Sequence, residues 1–293
     1  MRRERSITAE GVAWLRAVGA RETDEARRNP DYLAHGLLDP RFRALGRVPG
    51  GWAVALRAWE VFAPGYYQYE LARTRYLDGV LVDALAAGID QLVLVGSGYD
   101  SRVYRFGEQL ADVRTFELDR AVTLELKQRR ASKRGYGDSG SIKVALDLNL
   151  ATPVEALRQH GYDDDARTLF LCSGVLMYLE RDAVERLLGF VAESGAGSSI
   201  CFDYVLESAI RDPDSHYGAR GMIRNLKRAS EPYRFVIDPQ DLPALLDPWE
   251  LTLVSSAAPD DLRRTYGSAA RPICEYMGLA HAAHRQAAPS PPS

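Results

Sequence analysis

The stretch "LVLVGSGYDSRVYRF", residues 92–106, runs a short apolar segment into Gly96, Ser97 and Gly98. An apolar run of this length that stops at glycine reads as a buried strand. A Gly-x-Gly turn behind such a strand is the first turn of a doubly wound sheet, where small residues let the backbone approach a ligand. Ser101 stands where the third glycine of the dinucleotide pattern belongs. The turn by itself leaves open which ligand it holds, or whether it is purely structural.

The flanking sequence alternates strands with helices. "QLVLV" (91–95) and "VRTFELD" (113–119) read as strands, "AVTLELKQRRASKR" (121–134) as a helix, and "SIKVALDL" (141–148) as a third strand. In "TPVEALRQH" Pro153 lies near a helix start, where its missing N–H costs nothing. "RTLFLCS" (167–173) and "SSICFDYV" (198–205) are the fourth and fifth strands. Between them "RDAVERLLGFVAE" puts Val184, Leu187, Leu188 and Val191 on one stripe. Helices of this length imply right-handed crossovers and a mostly parallel sheet covered on both faces, an α/β, Rossmann-like, doubly wound architecture.

Residues 1–85 read as an N-terminal helical cap. "GVAWLRAV" and "WAVALRAWEVF" carry apolar residues at helical spacing, and "RVPGG" and "FAPG" punctuate them. In the aromatic segment that follows, Leu77, Val80, Leu81 and Leu85 share one helix face. The α/β domain is expected over 86–280, with a lid at about 206–235. "WELTLVSS" looks like a strand, "PICEYMGLAHAA" is ambiguous between helix and strand, and 281–293 reads as a disordered tail.

With 293 residues, 46% of them hydrophobic, the chain can bury one substantial core. Its net charge of -3 gives no electrostatic reason to expect nucleic acid or a membrane surface. No run reaches the roughly 20 apolar residues of a membrane span, and Arg16 interrupts the segment a signal peptide would need. Cys172, Cys201 and Cys274 lack CxxC spacing and read as reduced core residues of a cytoplasmic protein. His281 and His284 lie beside the tail and "DDD" (163–165) in a solvated turn, so no metal is expected. Neither HExxH nor GxSxG occurs, leaving zinc proteases and nucleophile-elbow hydrolases unsupported.

The acids that end the second strand narrow the ligand. Glu117 and Asp119 follow the glycines by about twenty residues, where a carboxylate accepts both ribose hydroxyls of a nucleoside. The third glycine of a dinucleotide site lets the helix N-terminus face a pyrophosphate. S-adenosyl-L-methionine (SAM) has an adenosine but no phosphate, and needs instead a cation for its own carboxylate. Arg73 and Arg75 lie upstream to provide one. The pattern therefore favours SAM over a nicotinamide cofactor, with NAD and the bare structural turn still open.

Several ordered segments resemble the leucine carboxyl methyltransferase family, especially its bacterial polyketide O-methyltransferase branch. They are "LARTRYLD" (71–78), "VGSGYDSRVYRF" (95–106), "FELD" (116–119), "KVALDL" (143–148), "LFLCSGVLMYL" (169–179), "CFDYV" (201–205) and "EPYRFVIDPQDLPALL" (231–246). The resemblance covers about residues 70–250 and implies a class I SAM-dependent methyltransferase fold. It implies Arg73 at the SAM carboxylate, Gly96, Ser97 and Gly98 along the methionine part, Asp119 at the ribose, and Asp147 with Leu148 at the adenine. Ser97 replaces the family's alanine. Ser173 replaces a glutamate that contacts SAM after the fourth strand, so the resemblance requires another acid there or altered chemistry.

Methyl transfer from a sulfonium needs alignment and exclusion of water. A carboxylate acceptor is already ionised at neutral pH, whereas a phenol benefits from a base. Tyr178 and Ser173, in the loop leaving the fourth strand, are the residues expected at the methyl group. Asp100, Arg102 and Arg105 are expected to form a structural ion-pair network, and Arg75 to pair with Asp78. His216 in the lid is either a base or a surface residue. Trp52, Trp59, Phe62, Tyr66, Tyr67 and Tyr69 wall an apolar acceptor or form cap core. The expected activity is O-methylation of a small carboxylate or phenol of secondary metabolism. The alternatives are displacement on SAM's aminobutyryl chain, releasing methylthioadenosine, or a nicotinamide-dependent oxidoreductase. Beyond a small-molecule substrate, the one partner to consider is a second copy in a homodimer.

Overall fold

The computed structural model describes residues 7–45, 50–228, 232–268 and 270–285. The cap is built from α1 (Ile7–Gly19), α2 (Ala34–Leu37), α3 (Pro40–Leu45), α4 (Gly51–Phe62) and the long α5 (Tyr66–Ala86). At 1.5 Å per residue, α5 extends for about 30 Å, and it does two jobs along that length. Leu77, Val80 and Leu81 in its second half are buried hydrophobic contacts, while Glu70, Arg73 and Thr74 are buried polar groups in its first half. Buried charges on a helix require partners, and these come from elements distant in sequence.

The sheet follows. Its strands are β1 (Gln91–Val95), β2 (Arg114–Asp119), β3 (Ile142–Ala145), β4 (Thr168–Cys172), β5 (Ser199–Val205), β6 (Leu251–Ala257) and β7 (Met277–His284). They lie in the order β3-β2-β1-β4-β5-β7-β6. The first five run parallel, and β7 lies antiparallel between β5 and β6. β1, β4 and β5 are buried at every position, as parallel strands covered on both faces must be. The covering helices include α6 (Arg102–Arg105), α7 (Ala121–Ser132), α8 (Pro153–Gln159) and α9 (Arg181–Glu193). α9 turns its expected stripe, Val184, Leu187, Leu188 and Val191, inward. α10 (Glu207–Arg211) and α11 (Ala219–Arg228) follow β5, and α12 (Leu242–Leu246) and α13 (Pro259–Tyr266) flank β6.

Two expectations change. The ambiguous "PICEYMGLAHAA" supplies β7, which runs through 281–284 and so removes those residues from the expected tail. His281 and His284 are strand residues, paired with Cys201 and Leu251 respectively. Alanine, glycine and histidine have weak strand preference, so pairing on both edges sets this conformation. The remainder of the tail, 286–293, lies outside the described residues.

The chain leaves β1 toward β2 and β3, then crosses to β4 on the other side. The reversal lies between β1 and β4, and open α/β sheets bind ligands beyond the strand ends at such a switch point.

Candidate functional site

A cavity of about 480 Å³ occupies that switch point, within the size range of small-molecule sites. Arg73, Gly96, Ser97, Gly98, Asp119, Asp147, Leu148, Ser173 and Tyr178 all line it.

The glycine turn is fixed by contacts on both sides. Gly96 has φ +64°, and a side chain there would put its Cβ 2.4 Å from Val175 Cγ2. A left-handed backbone against a packed neighbour leaves glycine as the residue that fits. The Gly98 amide donates to Asp119 Oδ2 at 2.7 Å, and the Arg120 amide donates to Asp119 Oδ1 at 2.7 Å. Each carboxylate oxygen retains a second lone pair, so Asp119 can still accept hydroxyl donors from the cavity.

Ser101 has a different task from that of a third glycine. Its hydroxyl donates to Asp31 Oδ1 at 2.5 Å and accepts from Arg105 Nε at 2.9 Å. The amide of Arg102, which opens α6, is taken by Asp100 Oδ1 at 2.8 Å. A carboxylate thus occupies the helix end where a pyrophosphate would dock. Arg102 also binds Asp100 at 2.5 Å and Asp78 at 2.8 Å, while Arg105 binds Asp78 at 2.7 Å. Burial disfavours the Asp100 carboxylate, but Arg102 and Lys127 hold its pKa well below the usual range. Asp100, Arg102 and Arg105 form the expected ion-pair network, with Asp78 at its centre. Arg75 does not join it and instead donates to the carbonyls of Glu25 and Arg28.

Arg73 sits between two buried carboxylates, Glu70 at 2.5 Å and Asp203 at 2.6 Å. Asp203 also accepts the Gly174 amide at 2.6 Å. A Cβ at Gly174 would lie 3.0 Å from Arg73 Nη1, at φ +69°, so this glycine admits the guanidinium beside the loop after β4. Burial opposes the Arg73 charge, yet Glu70, Tyr66 and Asp203 raise its pKa well above the usual value. Glu70 binds Arg16 as well, at 3.2 Å, and Arg16 continues to Asp31 at 2.8 Å and the Tyr99 carbonyl at 2.9 Å.

Arg16, Asp31 and Glu70 all line the cavity but carry no local motif. Glu70, at i-3 from Arg73 on one helix, left the one readable signal. Glu117 is withdrawn from the cavity, fully buried on Lys127 and on Ser141.

The same cavity is also lined by Tyr66, Met177, Tyr178, Tyr233 and Met277. The Tyr178 and Tyr233 rings lie 5.8 Å apart, and Arg234 pairs with Glu180 beside them. The amides of Arg234 and Phe235 both donate to the Met177 carbonyl, tying the lid segment to the loop after β4. Burial raises the Tyr66 and Tyr233 phenols well above their ordinary pKa. His216 does not line the cavity; it contacts Ser208 and the Asp212 carbonyl. Trp52, Trp59 and Phe62 pack in the cap with Trp14, not on the cavity.

Two buried polar atoms test the cavity as a SAM site. Arg73 Nε and Ser97 Oγ have no hydrogen-bond partner, although both residues line the cavity. Buried donors without partners are rare, and these two suit the carboxylate end of the cofactor. Together with the spare capacity of Asp119, the donor set fits SAM.

Comparison with known proteins agrees. The leucine carboxyl methyltransferase family matches residues 9–192. A relative from Streptomyces coelicolor, provisionally named an S-adenosyl-L-methionine-dependent methyltransferase, is 33% identical over 193 residues, covering 66% of each chain. One from Mycobacterium tuberculosis with the same provisional name is 35% identical over 170 residues, 57% of this chain and 54% of its own. The match thus spans 66% and 54% of these relatives' lengths. A solved structure from Thermobifida fusca, described as a provisional methyltransferase, superposes with a TM-score of 0.57 at 15% identity, over 94% of both chains. A protein from Streptomyces avermitilis gives 0.55 at 15% identity, over 94% of this chain and 97% of its own. At that identity the superpositions show the shared fold, a mostly parallel seven-stranded Rossmann-like sheet.

Proposed function

Because the chain belongs to the leucine carboxyl methyltransferase family, whose relatives carry SAM-dependent methyltransferase names, we propose that it transfers the methyl group of SAM to the carboxylate oxygen of a small natural-product-like acid. The observation that carries the choice of acceptor is the lack of a base. No histidine or lysine is among the described residues that line the cavity. Its carboxylates are engaged: Asp31 and Glu70 by Arg16, Asp100 by Arg102, and Asp119 by two amides. Asp147 lies beyond β3, on the expected adenine side. Tyr66 and Tyr233 hold their protons at neutral pH. An acceptor that must lose a proton meets no histidine or lysine among these residues, whereas a carboxylic acid with a pKa of about 4 arrives ionised.

When bound, SAM supplies the electrophilic methyl group. Arg73, through Nε–H and its remaining N–H groups, would hold the carboxylate, with Ser97 beside it and the Gly96–Gly98 backbone along the methionine part. Asp119 would bind the ribose, and Asp147 and Leu148 would border the adenine. Glu70 and Asp203, both paired with Arg73, are the acids nearest to hand to compensate for the glutamate that Ser173 replaces. Tyr178 and Ser173 would orient the acceptor, and Tyr233 with the lid would exclude water.

The test incubates the chain with methyl-labelled SAM and matched acceptors, benzoate against phenol and salicylate against its methyl ester. The expected products are S-adenosylhomocysteine and label that mild alkali releases as methanol. Alkali-stable label would mean a phenol ether, and methylthioadenosine would mean attack on the aminobutyryl chain.

A further inference from the structure

A second cavity, of about 540 Å³, lies between α3 of the cap and the C-terminal end of α7. Among the described residues, six cationic side chains line it, Arg41 and Arg43 from the N-terminal helices and Arg129, Arg130, Lys133 and Arg134 from the α7 end, against one acid, Asp39. In a chain of net charge -3, this concentration is a local feature and not a consequence of composition.

Arg130 is tied down by Glu10 at 2.6 Å, Asp39 at 3.5 Å and the Leu37 carbonyl at 2.7 Å. Among the described residues, Arg41, Arg129, Lys133 and Arg134 make no ion pair. Arg129 and Lys133, the α7 C-cap, are like charges at i, i+4, a destabilising spacing on a helix, and Arg134 adds a further cation just beyond the helix end. The α7 dipole favours cations in its last turn, but it does nothing for Arg41 and Arg43, which arrive from another element. The positive field reaches further: burial lowers the His35 pKa, and Arg134, Arg43 and Arg21 lower it more.

We infer that this groove binds a compact, multiply charged oxyanion of the phosphate class, which clamps the cap onto the α/β core. Five of the six cations are arginines, whose planar forks match phosphate oxygens in pairs. An anion between the two sets would replace repulsion across the cap–core junction with attraction to both sides. The effect would reach the main cavity through Arg130, whose guanidinium lies 4.7 Å over the Tyr99 ring, since Tyr99 lines that cavity. A concave groove of this size suits a small ligand better than a membrane plane. The inference is independent of the methyl-transfer reading, because nothing in it requires turnover.

The test titrates the full chain with inorganic pyrophosphate at ionic strength held constant with sodium chloride. A saturable rise in Tm is expected, together with an upward shift of the His35 pKa read by NMR as the anion offsets the arginine field. The variant Arg129→Gln/Lys133→Gln/Arg134→Gln should bind pyrophosphate at least about tenfold more weakly, and Arg41→Gln should weaken it from the cap side. These side chains are exposed, so the variants should fold, and a Tm without pyrophosphate no lower than the parent's checks this. A Tm that follows ionic strength alone, or a triple variant that responds like the parent, would overturn the inference. So would flotation with phosphatidylglycerol vesicles by a chain that ignores pyrophosphate.

Discussion

The main cavity is built from two sets of residues of different material. In one set, charges from the N-terminal helices and the sheet hold one another: Arg16, Asp31, Glu70 and Arg73 meet Tyr99, Ser101 and Asp203. A second set of lining residues, Tyr178, Tyr233, Met177 and Met277, presents rings and thioethers. The first arrangement fixes geometry, because a buried charge moved away from its partner is costly. The second tolerates substitution, since methionine and aromatic surfaces adapt to a ligand's shape. A shared cofactor and a variable acceptor call for that division.

Substitutions should separate the two sets. Arg73→Met strips the charged partner from Asp203 and one of two from Glu70, and should cost about 3–5 kcal/mol of stability, read from the urea midpoint without ligand. A loss below about 1 kcal/mol would show that the pairs do not brace the junction. Asp119→Ala should weaken SAM about 10- to 100-fold by calorimetry, the worth of hydrogen bonds to a charged group, while leaving the cap in place. Gly96→Ala drives a methyl group toward Val175 and should cost about 1–3 kcal/mol, with Gly96→Ala/Val175→Ala recovering part of it. Recovery would confirm steric conflict over lost backbone freedom. The smallest effect belongs to Tyr233→Phe. It should leave SAM affinity within about twofold and act on the acceptor's KM, since one neutral hydrogen bond contributes only about 1 kcal/mol.

The sequence told different amounts about the two sets. β1, β4, β5 and the Gly96–Gly98 turn were legible because a buried parallel strand is a mostly apolar run and its turn is glycine, while β3, at the sheet edge, showed as alternation of Ile142, Val144 and Leu146. Arg73 and Asp119 were legible at fixed places relative to that turn. Ser101 was misleading on its own: it reads as a missing glycine until Asp31, 70 residues earlier, is seen to accept its hydroxyl hydrogen bond. Arg16 was unreadable for the same reason, its partners Glu70 and Tyr99 lying 54 and 83 positions away. β7 escaped because its residues have little strand preference and its structure comes from β5 and β6 on either side. Tyr178 and Tyr233 are 55 positions apart, and no local pattern encodes the contact of their rings.

The shared premise of both sets is that the carboxyl edge of β1, β2 and β4 holds SAM in one orientation. A crystal structure of the full chain with S-adenosylhomocysteine tests it most directly. The ribose hydroxyls are expected on Asp119, the amino-acid carboxylate on Arg73 and Ser97, and the sulfur turned toward Tyr178. A nucleoside seated with its ribose away from Asp119, or a carboxylate that leaves Arg73 Nε without a partner, would contradict it.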